Sequence, residues 1–305
     1  MNIIEAKSAV SGKYKLKITK PDGSIKETEW FSNLILLQGL DYLGATNSYL
    51  SINACQVGTG TSTPVNTQVA LDAFLAGVGL SNSAGNVNQG SPTYANVSTF
   101  EYDFPQGAVI GNITEIGIGT AATMGNNLFS RALITDGSGP VAITLTSIDQ
   151  LTVYYALTIT PPLTPVSGTV TLGSTSYPYT TAIIGATTFC NYPVNAGGWG
   201  VPNYASCIAY KNDFVIAPIT DTNPSGTQTA PSNTTSATRG TYVNGTYYLD
   251  NIYTWGPPEG NDPGGIGGLQ LRNYNNICTQ VYFPTPIPKT STQTLTLVFR
   301  FSWSA

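Results

Sequence analysis

The segment "DQLTVYYALTI", residues 149–159, alternates apolar and polar side chains, and "QTLTLVFRFSW", residues 293–303, alternates in the same way. A period of two residues is typical of a β-strand with one buried face. The faces that we expect to be buried carry Leu151, Val153, Tyr155, Leu157 and Ile159 in the first segment and Leu295, Leu297, Phe299, Phe301 and Trp303 in the second. The likeness suggests an internal duplication, with two related sandwiches in tandem. The alternative, that any two amphipathic strands look alike, stays open.

Further short strands surround these segments. The stretches "VSTFEYDFP" (97–105), "ITEIGIG" (113–119), "NLFSRALIT" (127–135) and "VAITLT" (141–146) follow one another between turns rich in glycine and proline. Such spacing favours an antiparallel β-sandwich. Pro161, Pro162 and Pro165 end this block, since proline donates no hydrogen bond to a sheet. We therefore predict an all-β fold with one or two short helices and tandem antiparallel β-sandwich domains, residues 1–162 and 163–305.

Local signals predict the connections. Pro21-Asp22-Gly23 supplies the turn of a hairpin over 13–31, and Asn244-Gly245 is a second hairpin-turn signal. Apolar residues at helical spacing predict short helices over 32–44 and 67–78. The remaining features are loops: the Thr/Ser/Asn/Pro-rich stretch 220–240 is expected to be long and exposed, and 256–268 is rich in glycine.

Charge is scarce in this chain. Its 305 residues carry only 9% charged side chains and a net charge of −4, against about 25% charged residues in ordinary soluble domains. Half of the twelve basic residues lie in the first 26 positions: Lys7, Lys13, Lys15, Lys17, Lys20 and Lys26. We interpret them as the solvated face of a hairpin opposite Glu27 and Glu29 rather than as a polyanion patch. A nucleic-acid partner is not expected.

No apolar run approaches the ~18 residues of a membrane helix, and the start lacks a signal-peptide layout. We expect a protein made in a cytoplasm and kept there until it assembles or is released, without membrane insertion. The cysteines, Cys55, Cys190, Cys207 and Cys278, show no CxxC spacing. Free buried thiols are therefore favoured, and a Cys190–Cys207 disulfide stays open.

The absence of histidine excludes Ser-His-Asp and Cys-His catalysis and the usual zinc ligand sets. A hydrolase would have to use carboxylates, and Glu101 with Asp103 forms a pair on one strand face, as in a glycosidase. The stronger hypothesis for this pair is a solvated polar face of an edge strand. We predict no catalytic residue, no cofactor and no metal site.

Two loops are candidates for ligand sites. "VGTGTSTP", 57–64, has two glycines among small residues but lacks a complete phosphate-binding fingerprint, so a tight loop is favoured. Asp250, Glu259 and Asp262 offer oxygen ligands of the kind that calcium binds, in no recognised spacing. A loop rich in turns is the favoured interpretation there.

Aromatic residues are the better indication of binding. Trp199, Tyr204 and Trp255 lie among Asn, Gly and Thr in the second half, and flat rings beside amides suit sugar faces and protein surfaces. We name these three as candidates for surface recognition. The competing hypothesis is that the rings fill the sandwich core.

Several segments, in this order, resemble a family of structural proteins of tailed bacteriophages: "WFSNLILLQGLDYLG", "VGTGTSTP", "ITEIGIG" followed by "LFSRALI", "QLTVYYALTI" and "PKTSTQTLTLVFRFSW". Members are described as tail-fibre or tail-appendage proteins, or as uncharacterised virion proteins. The resemblance is clearest from about residue 25 to 160 and over the last twenty residues. Each motif alone is weak, and their order carries the resemblance.

The resemblance implies a non-enzymatic component of the virion tail or neck, bound to other tail or neck proteins and contributing to host attachment. It also implies a homo-oligomer, and we expect a trimer. In this hypothesis residues 1–162 hold the particle, and 163–305 face outward toward a host cell-surface glycan or protein. The alternatives are a head or collar decoration protein, a carbohydrate-binding β-sandwich module and, last, a carboxylate glycosidase.

Overall fold

The computed structural model describes residues 3–45, 52–88, 91, 94–184, 204–229, 234–273 and 278–305. Within them the fold is all-β and of the sandwich type, as predicted, with one α-helix, α1 (Leu37–Ala45). The strands are β1 (Ile3–Thr19), β2 (Ile25–Glu27), β3 (Phe31–Ser32), β4 (Leu34–Ile35), β5 (Ala54–Gly58), β6 (Phe74–Gly79), β7 (Asn82–Asn88), β8 (Asn96–Phe104), β9 (Gly111–Ile113), β10 (Glu115–Gly119), β11 (Leu128–Leu133), β12 (Ile143–Leu145), β13 (Gln150–Thr160), β14 (Val166–Leu172), β15 (Thr175–Ile184), β16 (Tyr204–Tyr210), β17 (Thr234–Arg239), β18 (Tyr248–Trp255), β19 (Asp262–Asn273), β20 (Cys278–Lys289) and β21 (Leu295–Ser304).

One sheet of 14 strands runs through the molecule in the order β14-β15-β20-β19-β16-β17-β18-β21-β1-β13-β8-β7, with β2 and β3 also paired to β1. A second sheet has the order β4-β11-β10-β5-β6, and β9 with β12 forms a small ribbon. Both long alternating segments of the sequence are confirmed as strands, β13 and β21. Their predicted apolar faces are almost entirely buried.

The 17-residue strand β1 holds these two strands on either side of it. Its first part pairs in parallel with β21, from Ile3 opposite Val298 onward. Its second part pairs antiparallel with β13, ending with Thr19 opposite Gln150. Every second side chain of β1 is buried along its length, so one strand contributes to the core beside both partners.

The five-stranded sheet covers the face of the large sheet formed by β1, β13 and β8. The Tyr14 hydroxyl of β1 lies 2.7 Å from the hydroxyl of Ser130 on β11, and the Tyr102 hydroxyl of β8 donates to the carbonyl of Ile52. Apolar side chains of both layers belong to one hydrophobic core, among them Ile116 and Phe129 of the five-stranded sheet and Phe100 of β8. This contact is the sandwich of the first half.

In the second half the large sheet passes from β16 to β18 through β17, which pairs with both. Side chains of β19 and β20, such as Leu269 and Val281, enter the same core as Leu297 of β21. Helix α1 belongs to the first half and contacts the second. The indole of Trp303 donates a hydrogen bond to the carbonyl of Leu40 in this helix at 2.9 Å. The Tyr242 hydroxyl also donates to Asp41 Oδ1 at 2.6 Å.

The predicted hairpin over 13–31 is confirmed. Strand β1 pairs with β2 across a turn in which Gly23 adopts φ +82°. The ion pair between Lys15 and Glu27, 2.5 Å apart, supports the interpretation of the basic residues as a hairpin face. The segment 97–105 is confirmed as a strand, β8, whose buried face carries Ser98, Phe100, Tyr102 and Phe104. The turn at Asn244-Gly245 is present as well, with Gly245 at φ +81°.

Several local predictions were wrong. No helix spans 67–78: residues 67–73 belong to a loop, and β6 pairs antiparallel with β5. Helix α1 starts at Leu37 rather than near 32, because Phe31–Ser32 and Leu34–Ile35 form short strands. The segment predicted to be a loop at 220–240 ends in β17, and the glycine-rich stretch enters β19 at Asp262.

The proposed boundary between residues 162 and 163 falls between β13 and β14. The large sheet continues across it, since β21 of the second half pairs with β1 of the first. The division into two domains with separate roles, like the duplication, stays a prediction. Cys55 and Cys207 are buried free thiols, as expected, and Cys190 lies outside the described residues.

Deleting residues 295–305 should unfold both halves rather than only the second. Strand β21 lies between β18 and β1 and buries Leu295, Leu297, Phe299, Phe301 and Trp303. Each such side chain stabilises the fold by about 1.5–3 kcal/mol, against a total margin of about 5–15 kcal/mol. Circular dichroism and thermal melting would measure this, with removal of exposed Ala305 as control. Melting of the truncated chain at the temperature of the full chain would show that β21 is dispensable.

Acidification should destabilise the chain partly through Asp149. The hydrogen bond from Lys20 (2.9 Å), and then that from the Thr146 amide (2.8 Å), holds the pKa of this carboxyl below its ordinary range. Its ionised form therefore stabilises the fold above the ordinary value of about 3.9, and this contribution is lost as the pH falls through the lower folded-state pKa.

Thermal melts between about pH 5 and pH 2 test this contribution. We expect Asp149→Asn to lower the melting temperature at neutral pH and to weaken its further fall on acidification. Lys20→Met should raise the pKa of Asp149, measured by NMR titration of the carboxyl. An acid limb that is the same in Asp149→Asn and the unaltered chain would contradict the assignment.

Candidate functional site

Three of the segments that carry the family resemblance meet at the carboxylate of Glu115, the first residue of β10. Glu115 is completely buried. Its Oε1 accepts hydrogen bonds from the amides of Gly60 (2.9 Å) and Ala73 (2.8 Å). Its Oε2 accepts from the amide of Asp72 (3.1 Å) and from Nε of Arg131 (2.9 Å). One carboxylate thus joins "VGTGTSTP", "ITEIGIG" and "LFSRALI".

The guanidinium of Arg131, on β11 next to β10, is also completely buried. Besides Glu115, it donates to Asp72 Oδ2 at 2.7 Å and to Gln68 Oε1 at 2.8 Å. A buried pair of opposite charges is tolerated only when the remaining donors and acceptors are also satisfied. Here the guanidinium and the carboxylate each have several partners, so the pair is a structural element.

The two glycines of "VGTG" are explained by the same carboxylate. A Cβ atom on Gly60 would lie 2.4 Å from Glu115 Oε1, and one on Gly58 would lie 2.5 Å from it. Amides that converge in such a loop form an anion-binding concavity. The anion held here is the chain's own carboxylate, so these amides do not form a phosphate cradle. Residues 59–64 lie in a loop, as the sequence favoured, but this loop continues to residue 73 instead of leading into a helix at 67.

These contacts fix the loop of residues 59–73, named the 59–73 loop below. The Thr59 amide donates to the carbonyl of Ala73 at 2.8 Å, which closes the base of the loop. Farther out, Gln68 Oε1 accepts from the Val65 amide at 2.9 Å, and Gln68 Nε2 donates to Asp72 Oδ1 at 3.1 Å. The amide and hydroxyl of Ser62 both donate to Asp72 Oδ2. The loop is therefore organised from its base to its tip.

The underside of the 59–73 loop packs on the protein, and its tip faces solvent. Leu71 lies in a small apolar cluster with Leu36 and Leu128. The backbone also joins the loop to its surroundings, since the amide of Leu128 donates to the carbonyl of Val69 and that of Leu37 to the carbonyl of Asn66. The exposed residues of the tip are Thr61, Ser62, Thr63, Val65, Asn66 and Thr67.

The acidic pair considered for glycosidase chemistry takes part in cross-strand contacts. Glu101 and Asp103 lie on the face of β8 opposite the buried Phe100 and Tyr102. Asp103 Oδ1 accepts a hydrogen bond from the Thr152 hydroxyl of the neighbouring strand at 2.7 Å. Strand β8 pairs with β13 and β7, so it is not the edge strand that the sequence suggested.

The oxygen ligands considered for calcium point to separate partners. Asp250 pairs with Arg300 through two hydrogen bonds of 2.8 and 2.9 Å. Glu259 accepts from the amide of Gly256, and Asp262 lies 3.3 Å from Lys211. Among the described residues no group of three potential metal ligands is found.

The glycine-rich loop that begins at Gly256 does surround a cation, which is the ammonium group of Lys289. Lys289 is 1% exposed. Its acceptors are the carbonyls of Gly256 (2.9 Å), Pro257 (3.4 Å) and Thr290 (3.1 Å) and Oδ1 of Asn261 (3.0 Å). Burial lowers the pKa of Lys289, while the nearby Glu259 acts in the opposite direction. The carbonyl groups are thereby satisfied internally.

The predicted recognition residues are not brought together. Trp255, which the sequence suggested was exposed, is completely buried on the inner face of β18, and Gly260 packs against its ring. That candidate is corrected: Trp255 is a core residue, as are Tyr210 and Tyr253. Tyr204 opens β16, and its side chain lies outside the described part of the chain. Trp199 also lies outside the described residues.

Sequence reasoning missed the cluster of Glu115, Arg131, Asp72 and Gln68. A signal was present, because charged residues are rare here and Glu115 and Arg131 each stand within an apolar strand pattern. A charge at a core position implies a buried partner.

In comparisons with known proteins, no protein-family model, no curated protein and no solved structure matches this chain. No helix in the described ranges has the length and apolar character that crossing a bilayer requires.

Replacing Arg131 by Met should lower the free energy of unfolding by about 3–5 kcal/mol, since it leaves a buried carboxylate without its cation. Denaturant unfolding measures the loss. The matched control is Lys15→Met, which breaks the surface pair with Glu27 and should cost about 0–1 kcal/mol. Equal losses in the two variants would mean that the buried network does not stabilise the fold.

Proposed function

We propose that this chain is a non-enzymatic structural component of a tailed-bacteriophage virion, a tail fibre or tail appendage that attaches to the tail and contributes to host attachment. In this proposal it assembles as a homo-oligomer, a trimer, in contact with other tail or neck proteins. The observation that carries the proposal is the structural role of the motifs on which the family resemblance rests. Glu115, Arg131 and Gly60 join three of them in one buried network that fixes a surface loop.

Motifs that serve as scaffold are consistent with a part that holds position in an assembly. The acidic residues considered for chemistry have structural partners, such as Thr152 for Asp103 and Arg300 for Asp250. The charge-poor composition, 9% charged residues, supports the same proposal. Surfaces of hydroxyl and amide groups pack against neighbouring copies without like-charge repulsion.

The two halves are proposed to differ in role, with the first holding the particle. The rigid 59–73 loop lies in the first half, which supports this division. Because β1 pairs with β21, a cut at residue 162 would divide a continuous sheet. Full-length variants are therefore better tests than the two fragments.

The chain should be found in purified particles of the phage that encodes it. Mass spectrometry of gradient-purified virions should detect it in a fixed number of copies, and electron microscopy with gold-labelled antibody should place it at the tail. Light scattering of the purified protein should give three times the mass of one chain. Absence of the chain from particles, with binding of a glycan array by the isolated monomer, would favour a carbohydrate-binding module instead.

A further inference from the structure

The 59–73 loop is an organised surface segment of the first half. It contains fifteen residues and no regular secondary structure. Loops of this length are uncommon in compact domains and are usually functional or disordered. This loop is ordered by a buried carboxylate, a buried guanidinium and the side chain of Gln68. Its conformation is therefore established before any partner binds.

An organised loop loses little conformational freedom on binding, and this lowers the entropic cost of association. Gln68 contributes most directly to the tip, because its Oε1 accepts from the Val65 amide and also from Arg131. The buried network thus reaches the tip through Gln68, which holds the Val65 amide, and through Asp72, which holds the Ser62 amide. Pro64, next to Val65, further restricts the backbone.

The exposed tip has a definite chemistry. Residues 61–67, "TSTPVNT", contain no ionisable side chain. They offer hydroxyl and amide groups around Val65, whose side chain is 51% exposed. The acidic residue nearest to the tip, Asp72, is paired with Arg131 and accepts from Ser62 and Gln68. A partner therefore meets an uncharged surface with one apolar projection.

We propose that the tip of the 59–73 loop, residues 61–67, is the surface by which this chain docks on the particle, and that it binds a protein surface free of charge at the contact. That surface receives Val65 in an apolar recess and exchanges hydrogen bonds with the neighbouring hydroxyl and amide groups. The assignment rests on the proposed virion role. It adds the residues that make the contact and the chemistry of the partner.

The absence of charge argues for this partner over a polyanion or a charged receptor. Contacts between opposite charges accelerate association and weaken as salt is added. A contact made by residues 61–67 has no charged group to screen. Docking should therefore be nearly independent of salt between about 0.05 M and 0.5 M, a range over which the Debye length shortens several-fold.

The test uses particles that lack this chain, prepared from a phage in which its gene is interrupted, and the purified full-length protein. Co-sedimentation measures the fraction bound to particles. Val65→Asp should reduce the apparent affinity about tenfold or more, because a carboxylate placed in an apolar recess loses its hydration. Matched controls are Val215→Asp in the second half and Ile148→Asp in the first, at side chains 58% and 55% exposed. Both controls should bind as the unaltered chain does.

A second variant tests the organisation of the loop. Gln68→Ala removes the acceptor of the Val65 amide and leaves the exposed side chains of the tip unchanged. It should weaken particle binding severalfold, less than Val65→Asp does, while circular dichroism confirms that the sheets are retained. Undiminished binding by this variant would show that the loop does not have to be organised in advance.

The outcomes separate this proposal from the virion role. Equal binding of Val65→Asp and the unaltered protein would overturn the loop assignment and leave the virion role in place. Loss of binding in Ile148→Asp or Val215→Asp alone would move the contact elsewhere on the chain. A fall in oligomer mass with Val65→Asp would make the partner a second copy of this chain. Failure of the unaltered chain to bind, with its absence from virions, would overturn both proposals.

Discussion

A buried carboxylate has to be surrounded by donors, and in this protein that requirement falls on Glu115. Three backbone amides and one guanidinium surround it. Two of the amides come from the end of the 59–73 loop and one from its start, so a single side chain closes the loop. The glycines at 58 and 60 follow from the same requirement, since a Cβ atom at either position would collide with the carboxylate.

A second constraint is the length of β1. A strand of 17 residues is long enough to pair with β21 over one part and with β13 over the other. The two segments that look alike in sequence are thus alike in position, one on each side of the same strand. They run in opposite senses relative to β1, because β21 is parallel to it and β13 is antiparallel. Their likeness reflects the shared demand for an apolar inner face, whether or not a duplication produced it.

The strands could be predicted from alternation, because one buried face leaves a period of two in the sequence. The helix over 67–78 could not be rejected from its pattern. Leu71, Phe74, Leu75 and Val78 have helical spacing, but Glu115 accepts from the amides of Asp72 and Ala73, which a helix would have bonded internally. This competitor stands more than forty residues away. Contacts at that separation are not visible in a local window.

Prediction of the functional surface failed for a related reason. Trp255 is buried and its neighbour Thr254 is exposed, so the choice between core and surface depends on which face of β18 turns inward. Composition indicates that aromatic residues are present and does not give that orientation. The Lys289 ammonium is similar, because a lysine followed by the polar residues Thr-Ser-Thr suggests a solvated charge. Only the fold places four acceptors around it.

The distribution of charge connects the fold with the proposed role. Within the described part of the chain, ion pairs with acidic residues are formed by Lys15, Lys20, Arg131, Lys211 and Arg300. A chain with few charges, several of which are paired internally, presents little field to its surroundings. Recognition then depends on shape, apolar contact and hydrogen bonds, which act only at close range. Such contacts favour partners held in fixed positions over partners met by diffusion, and neighbouring subunits of an assembly are partners of the first kind.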